Sequence, residues 1–124
     1  MILDHIGFNV SDFAAMKTFL TRALAPLNIT ITKEGEGWAM IGRDGKGQFW
    51  FGSFGPNPGP IHIAFAADSH EQVQAFHAAA LAAGGKDNGG PGLRPHYHAH
   101  YYGAFVIGPD GHNFEAVCHQ PPST

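Results

Sequence analysis

The feature that most constrains the fold of this chain is an internal repeat. The stretch LDHIGFNV at residues 3–10 returns as PIHIAFAA at residues 60–67, each time just before a segment with helical periodicity. At this offset of 57 residues, seven positions between 5 and 25 are identical to their counterparts, among them His5 with His62 and Phe8 with Phe65. Matches between alanine-rich helices arise by chance, but the His, Phe and Leu matches favour an internal duplication.

The first half begins with a strand in which apolar residues alternate with polar or small ones, Ile6, Phe8 and Val10 being the apolar set. A helix should follow, capped by Asp12 and ended by Pro26. Gly-rich turns then separate strands predicted at 29–33, 38–41 and 48–53.

The second half repeats this order of elements. A capping box begins its helix at Ser69, Gly84 and Gly85 end it, and strands are predicted at 86–88, 102–107 and 113–119. The pattern predicts an α+β fold of two βαβββ modules, at residues 1–53 and 61–124, joined by a linker at 54–60 and sharing one structural domain.

The composition limits the classes of partner. The 124 residues are 44% hydrophobic and only 14% charged, and the formal net charge is -3 with no Lys/Arg cluster. Nucleic acid and anionic membranes are therefore poor partners, and a surface this low in charge favours a homodimer. A single cysteine, Cys118, fits a reducing compartment, and no signal-peptide or membrane-spanning pattern is present, so we expect a cytoplasmic protein.

A set of two histidines and one carboxylate is the strongest candidate for chemistry. His5 and His62 begin equivalent strands, and the alternation of the last strand directs Glu115 to the same face, away from the helices. A buried carboxylate is costly unless it is paired or bound to a cation, and a two-His-one-carboxylate set can hold a divalent metal with open positions. The alternative is that the histidines are hydrogen-bonded core residues and Glu115 lies at a sheet edge.

The sequence resembles the vicinal oxygen chelate superfamily, which includes glyoxalase I, fosfomycin-resistance enzymes, extradiol dioxygenases and bleomycin-resistance proteins. The segments that carry the resemblance are DHIGFNV at 4–10, PIHIAF at 60–65 and PDGHNFEAV at 109–117. It implies paired modules whose strands curl into a cup, with the helices outside. It also implies a divalent metal (Fe, Mn, Zn or Ni) on His5, His62 and Glu115, with Trp50 at the fourth ligand position.

Trp50 departs from the family pattern, because an indole cannot ligate a metal. Glyoxalase I chemistry is therefore less favoured, and Trp50 is expected either to stack on a flat substrate or to pack in the core. Asn9 lies on the same strand face as His5 and is a further candidate for substrate binding.

The run RPHYHAHYY at 94–102 is expected to form a loop over the cup. Within it, His98 and Tyr102 are candidates for acid–base or orienting roles, and Arg94 for binding a carboxylate or phosphate group. The alternative is a solvated loop without function. Three other histidines, His70, His77 and His112, are expected to be surface or helix filler.

These features lead to two main hypotheses and a weaker third. The first is a metal-dependent enzyme of the lyase, isomerase or dioxygenase type, acting on neighbouring oxygens of a small-molecule substrate. The second is a bleomycin-resistance-like module that binds a ligand without catalysis, and the third is a structural homodimer whose His-rich loop meets a partner.

Overall fold

The structure is a computed structural model that describes residues 3–122. The first module contains β1 (Ile6–Asn9), α1 (Phe13–Leu24), β2 (Thr30–Gly35), β3 (Trp38–Arg43) and β4 (Lys46–Gly52). The second module contains β5 (His62–Ala66), α2 (His70–Ala82), β6 (Lys86–Leu93), β7 (Tyr102–Ile107) and β8 (Asn113–Cys118). Residues 1–2 and 123–124, which the predicted modules include, lie outside the described residues.

Each module forms a four-stranded mixed sheet. The strand orders are β1-β4-β3-β2 and β5-β8-β7-β6, and β1 with β4 and β5 with β8 are the parallel pairs. The predicted α+β fold of two βαβββ modules is confirmed. Within the described residues, β1 and β5 each keep one edge without a strand partner.

The two helices begin at the predicted caps. The Asp12 carboxylate accepts a hydrogen bond from the Ala15 amide at 3.0 Å, and the Ser69 hydroxyl accepts one from the Gln72 amide at 3.1 Å. Across residues 3–122 no helix is both long and apolar enough to span a membrane.

One hydrophobic core joins the modules. The helices α1 and α2 pack against each other, and three ring contacts cross between modules: Phe8 with His112, at 4.9 Å between centroids, Phe19 with Phe114, at 5.6 Å, and Phe49 with Phe65, at 6.0 Å. The helix-facing side of each sheet is therefore buried. The opposite side of each sheet, which we call its outer face, carries the alternate residues of the same strands.

Three sequence expectations need correction. Ile6 is 47% exposed rather than packed, because it lies at the open edge of the sheet. His112 is fully buried rather than a surface residue, since its ring packs edge-on against Phe8 at 4.9 Å. The strand predicted at 86–88 is longer than expected, since β6 continues to Leu93 through register shifts at its glycines.

Candidate functional site

Trp50 and Glu115 occupy equivalent points on the outer faces of the two sheets. In the parallel ladder of the first module, Gly7 pairs with Trp50, and in the second module Ala64 pairs with Glu115. Gly7 and Ala64 are themselves related by the 57-residue repeat. The alignment of Trp50 with Glu115 therefore agrees with the strand register.

Glu115 is a fully buried carboxylate whose two oxygens are both hydrogen-bonded. Oε1 lies 2.8 Å from His62 Nε2, and Oε2 accepts a hydrogen bond from the Tyr101 hydroxyl. Because an ionised carboxylate can only accept, we assign the bonded proton of the imidazole to Nε2. The structure thus brings His62 and Glu115 together as predicted, and it adds a tyrosine.

The hydroxyl of Tyr101 is a donor in this arrangement. Burial, together with the hydrogen bond to the Glu115 carboxylate and its negative charge, raises the pKa of Tyr101 well above its usual value. The phenol therefore stays neutral at physiological pH and keeps its proton for the carboxylate.

His5 lies apart from this pair within one chain. Its Nδ1 is 2.8 Å from the Asp4 carboxylate, and this hydrogen bond lowers the pKa of Asp4. In the part of the chain that the structure describes, no group of three or more His, Cys, Asp or Glu side chains is placed to hold a metal ion. A single chain therefore supplies His62 and Glu115, and the third predicted ligand is not beside them.

A cleft of about 880 Å³ opens between the edge strands β1 and β5. Apolar side chains of both modules line it, including Phe49 and Phe65, and His5 and Arg43 are among its polar lining residues. His5 therefore faces a space between the modules, whereas His62 lies beside Glu115 on the outer face of the second sheet.

Two predicted substrate-binding residues meet on the outer face of the first sheet. The Trp50 ring stacks on Phe54 with centroids 5.9 Å apart and 21° between planes, and the Asn9 side-chain oxygen accepts a hydrogen bond from the Phe54 amide at 3.2 Å. Asn9 thus fixes the start of the linker so that Phe54 covers the indole. The result is a half-buried aromatic surface suited to flat or apolar ligands.

Arg94 is engaged by its own strand. Its guanidinium donates to the carbonyl oxygens of Gly92 at 2.8 Å and Gly90 at 2.9 Å, and it lies 5.4 Å from the centre of the Phe105 ring. Phe105 in turn is 6.1 Å from the His62 ring, so Arg94 borders the same face as Glu115. An anionic ligand would have to compete with these two carbonyl groups for the guanidinium.

The structure does not bring His98 or Tyr102 to Glu115. The Tyr102 hydroxyl accepts a hydrogen bond from Gln74 at 2.9 Å, and its ring stacks on His70 at 3.7 Å, both on α2. His98 is exposed, and its Nδ1 accepts a hydrogen bond from the His100 amide at 3.1 Å.

Tyr102 does not reach Glu115 because of the side of β7 on which it lies. Residues 95–100 form turns rather than an extended strand, and β7 begins only at Tyr102. Ala104 and Val106 face the core, so Tyr102 shares their side of the sheet, whereas Tyr101 precedes it on the outer face. The sequence signal that could have identified Tyr101 was the alternation of the strand predicted at 102–107, which groups Tyr102 with the apolar residues Ala104 and Val106.

Known proteins share this architecture. A family model, the Glyoxalase/Bleomycin resistance protein/Dioxygenase superfamily, matches residues 2–116. The chain is 28% identical to a glyoxalase/bleomycin resistance protein from Albidiferax ferrireducens T118, with a TM-score of 0.82 over 98% of this chain and 100% of that chain.

Two more distant structures support the fold alone. A glyoxalase/bleomycin resistance protein/dioxygenase family enzyme from Burkholderia phytofirmans PsJN has 16% identity and a TM-score of 0.72, covering 94% of this chain and 98% of that one. Oxidase ChaP-H2 has 17% identity and a TM-score of 0.66, covering 100% and 97%. A search of curated proteins found no match.

Proposed function

The chain belongs to the Glyoxalase/Bleomycin resistance protein/Dioxygenase superfamily, and on this premise we propose that it is an enzyme that binds a small molecule at a divalent metal. The observation that supports this most is the fully buried Glu115 carboxylate, 2.8 Å from His62 Nε2 on the outer face of the second sheet. Once the His62 ring takes the tautomer protonated at Nδ1, its Nε2 and the carboxylate oxygen form a donor pair that suits Fe, Mn, Zn and Ni.

Within one chain, His62 and Glu115 supply only two of the three ligands that a two-His-one-carboxylate site needs. We propose that His5 of a second copy supplies it in a homodimer. His5 and His62 hold equivalent places in the repeat, and the free edges of β1 and β5 leave room for a second copy to pair there.

The metal would supply Lewis acidity toward two neighbouring substrate oxygens, as in a lyase, isomerase or dioxygenase. The residues of the chain have separate tasks in this proposal. Trp50 and Phe54 offer a stacked aromatic surface for the body of the substrate, and Arg94 offers positive charge at the border of the site. His98, in the turns that precede Tyr101, remains a candidate to exchange protons with solvent.

Metal binding tests this function directly. Metal-free protein is titrated with Mn(II), and bound metal per chain is measured for the wild type and for the variants His62→Ala, Glu115→Gln and His77→Ala. His77 is the matched control because its Nε2 forms a similar pair with Asp87, at 3.0 Å, away from the site. The first two variants should lose the metal and His77→Ala should keep it.

Mixing two variants tests the shared site. His5→Ala and His62→Ala should each bind no metal alone. If each site takes His5 from one copy and His62 from the other, co-expressed variants should regain about a quarter of the wild-type sites, because half of the dimers are mixed and each mixed dimer has one intact site. No recovery would contradict a site shared between copies.

A binding module without catalysis is the second candidate. It is favoured by the fact that Tyr101 and His62 already satisfy both oxygens of Glu115 without a cation. In that case, bound Mn(II) would be far below one per chain and unchanged by His5→Ala, while aromatic ligands would still quench the fluorescence of Trp50.

A further inference from the structure

Tyr101 forms the least expected contact of the site. Its hydroxyl donates to Glu115 Oε2, while the other carboxylate oxygen, Oε1, faces His62 Nε2. A carboxylate with one donor on each oxygen cannot rotate about its terminal bond without breaking a buried hydrogen bond. The Tyr101 contact therefore controls the orientation of the group that His62 meets.

Tyr101 is itself held on several sides. Its amide donates to the His98 carbonyl at 3.1 Å, and its carbonyl accepts from the Arg94 amide at 2.7 Å. The ring packs edge-on against Tyr97 at 5.1 Å and His119 at 5.3 Å. These contacts fix the phenol at the base of the loop 94–101, so its hydroxyl has a defined position before any ligand arrives.

The chain also leaves room for this contact. A Cβ atom on Gly103 would lie 3.2 Å from Glu115 Oε2 and 3.2 Å from Tyr101 Cε1. Any side chain at Gly103 would press on the two residues where they meet. Glycine at this buried strand position is therefore explained by the Tyr101–Glu115 contact.

From this geometry we infer that Tyr101 is a positioning residue that orients Glu115 so that Oε1 stays beside His62 Nε2, which can join it as a metal ligand once the ring takes the tautomer protonated at Nδ1. The inference rests on the proposed function for the identity of the bound cation, but the orientation itself belongs to the metal-free protein. Hydrogen bonds to a ligating carboxylate stabilise its geometry, and their loss commonly costs 10- to 100-fold in metal affinity.

The sequence offers a closely matched control. Tyr102→Phe removes the same hydroxyl one residue later, but that hydroxyl bonds to Gln74 on α2. Gly103→Ala is a second test variant, since it disturbs the Tyr101–Glu115 contact without removing a polar group. Thermal unfolding of each variant shows whether it is folded.

The first measurement uses Mn(II) alone, because manganese is the weakest binder of histidine clusters among these metals and the loop carries three histidines. Tyr101→Phe should weaken Mn(II) binding by about 10- to 100-fold, and Gly103→Ala should weaken it in the same direction. Tyr102→Phe should bind as tightly as the wild type. If the wild type binds Mn(II), equal affinity of the wild type and Tyr101→Phe would overturn the inference.

The second measurement needs no metal. Imidazole ¹⁵N shifts of His62 report which ring nitrogen carries the proton, and the wild type should show it on Nε2. In Tyr101→Phe the freed carboxylate should lower this preference, whereas Tyr102→Phe should leave it unchanged. If the wild type binds no Mn(II) but Tyr101→Phe alters the His62 shifts, the metal proposal fails and the positioning role stands. Unaltered shifts in Tyr101→Phe would refute the positioning role.

Discussion

The two modules share a fold but carry opposite chemistry at the same point of their outer faces. In the first module this point holds Trp50, stacked on Phe54, and in the second it holds the buried carboxylate of Glu115. The preceding residues, Phe49 and Phe114, are both buried phenylalanines that face the core. The repeat thus keeps its packing face and differs on the face that is open to ligands.

Each module makes room for its side chain with a different glycine. A Cβ atom on Gly7 would lie 2.7 Å from Cε3 of Trp50, so the indole lies directly over β1. In the second module the corresponding residue is Ala64, and the space comes instead from Gly103 on β7. The difference indicates that the aromatic group leans toward the edge strand, whereas the carboxylate leans toward the sheet interior.

Truncating the equivalent phenylalanines should give the largest effect. Phe114 is fully buried between modules, so Phe114→Ala should lower the free energy of unfolding by about 3–5 kcal/mol. Phe49 borders the cleft between β1 and β5, where water can fill the space, so Phe49→Ala should cost less. Urea unfolding of both variants measures the difference, and equal losses would show that Phe49 is as well enclosed as Phe114.

A methyl group on Gly7 should disturb the first module alone. Because its Cβ would overlap the indole, Gly7→Ala should displace Trp50 from Phe54 and cost about 1–3 kcal/mol. Trp fluorescence should change with the loss of the stack. The double variant Gly7→Ala/Trp50→Ala serves as the control, since without the indole the added methyl should cost little. If Gly7→Ala costs as much when Trp50 is replaced by alanine, the strain comes from a contact other than the one with the indole.

Most of the fold could be predicted from the sequence because the internal repeat agrees with the alternating pattern of the strands and with the helical spacing of apolar residues. Alternation in β1 and β8 placed Glu115 correctly on the outer face, and the capping residues Asp12 and Ser69 marked both helices. These are local signals that depend on residues near each other in the chain.

The candidate site was predicted less completely because its contacts depend on tertiary packing. The strand predicted at 102–107 begins where expected, but Tyr102 lies on its core side with Ala104, so Tyr101 meets Glu115 instead. His5 begins an equivalent strand to His62, yet the modules pack through their helices and leave it beside Asp4. The position of His5 does not follow from spacing along the sequence.

His112 makes the second module sensitive to pH. Its Nδ1 accepts a hydrogen bond from the Ile61 amide at 3.0 Å, and Nε2 has no hydrogen-bond partner among the described residues. Burial lowers the pKa of His112, an effect that the nearby Asp110 carboxylate only partly offsets. The unfolded chain therefore binds this proton more readily than the folded one.

The sign of the pH effect follows from this difference. The contribution of His112 to the free energy of unfolding is fully present above the ordinary histidine pKa of about 6.5. It is lost as the pH falls through that value toward the pKa of the folded protein. The loss is at most about 1.4 kcal/mol per pH unit for one proton. Urea unfolding between about pH 5 and 8 should show that the free energy of unfolding depends less steeply on pH in His112→Gln than in the wild type. Identical slopes would mean that the imidazole reaches water in the folded protein.

The smallest effects should come from an ion pair that each module places between its helix and the strand that follows. Lys17 on α1 lies 2.5 Å from Glu34 on β2, and His77 on α2 lies 3.0 Å from Asp87 on β6. The first pair is half-exposed, so Glu34→Gln should cost less than about 1 kcal/mol.

The second pair differs because its carboxylate, on Asp87, also accepts a hydrogen bond from the backbone amide of Gly89 at 3.0 Å. The hydrogen bond from His77, followed by that from the Gly89 amide, lowers the pKa of Asp87, so its carboxylate contributes above the usual value and loses this contribution only as the pH falls through the folded pKa. Asp87→Asn should therefore destabilise the protein at about pH 6 and lose most of this effect toward about pH 3, below the usual aspartate pKa of about 3.9. Urea unfolding at the two pH values checks this, and at about pH 6 it also measures Glu34→Gln. An equal effect of Asp87→Asn at both values would show that the charge of the carboxylate does not link α2 to β6.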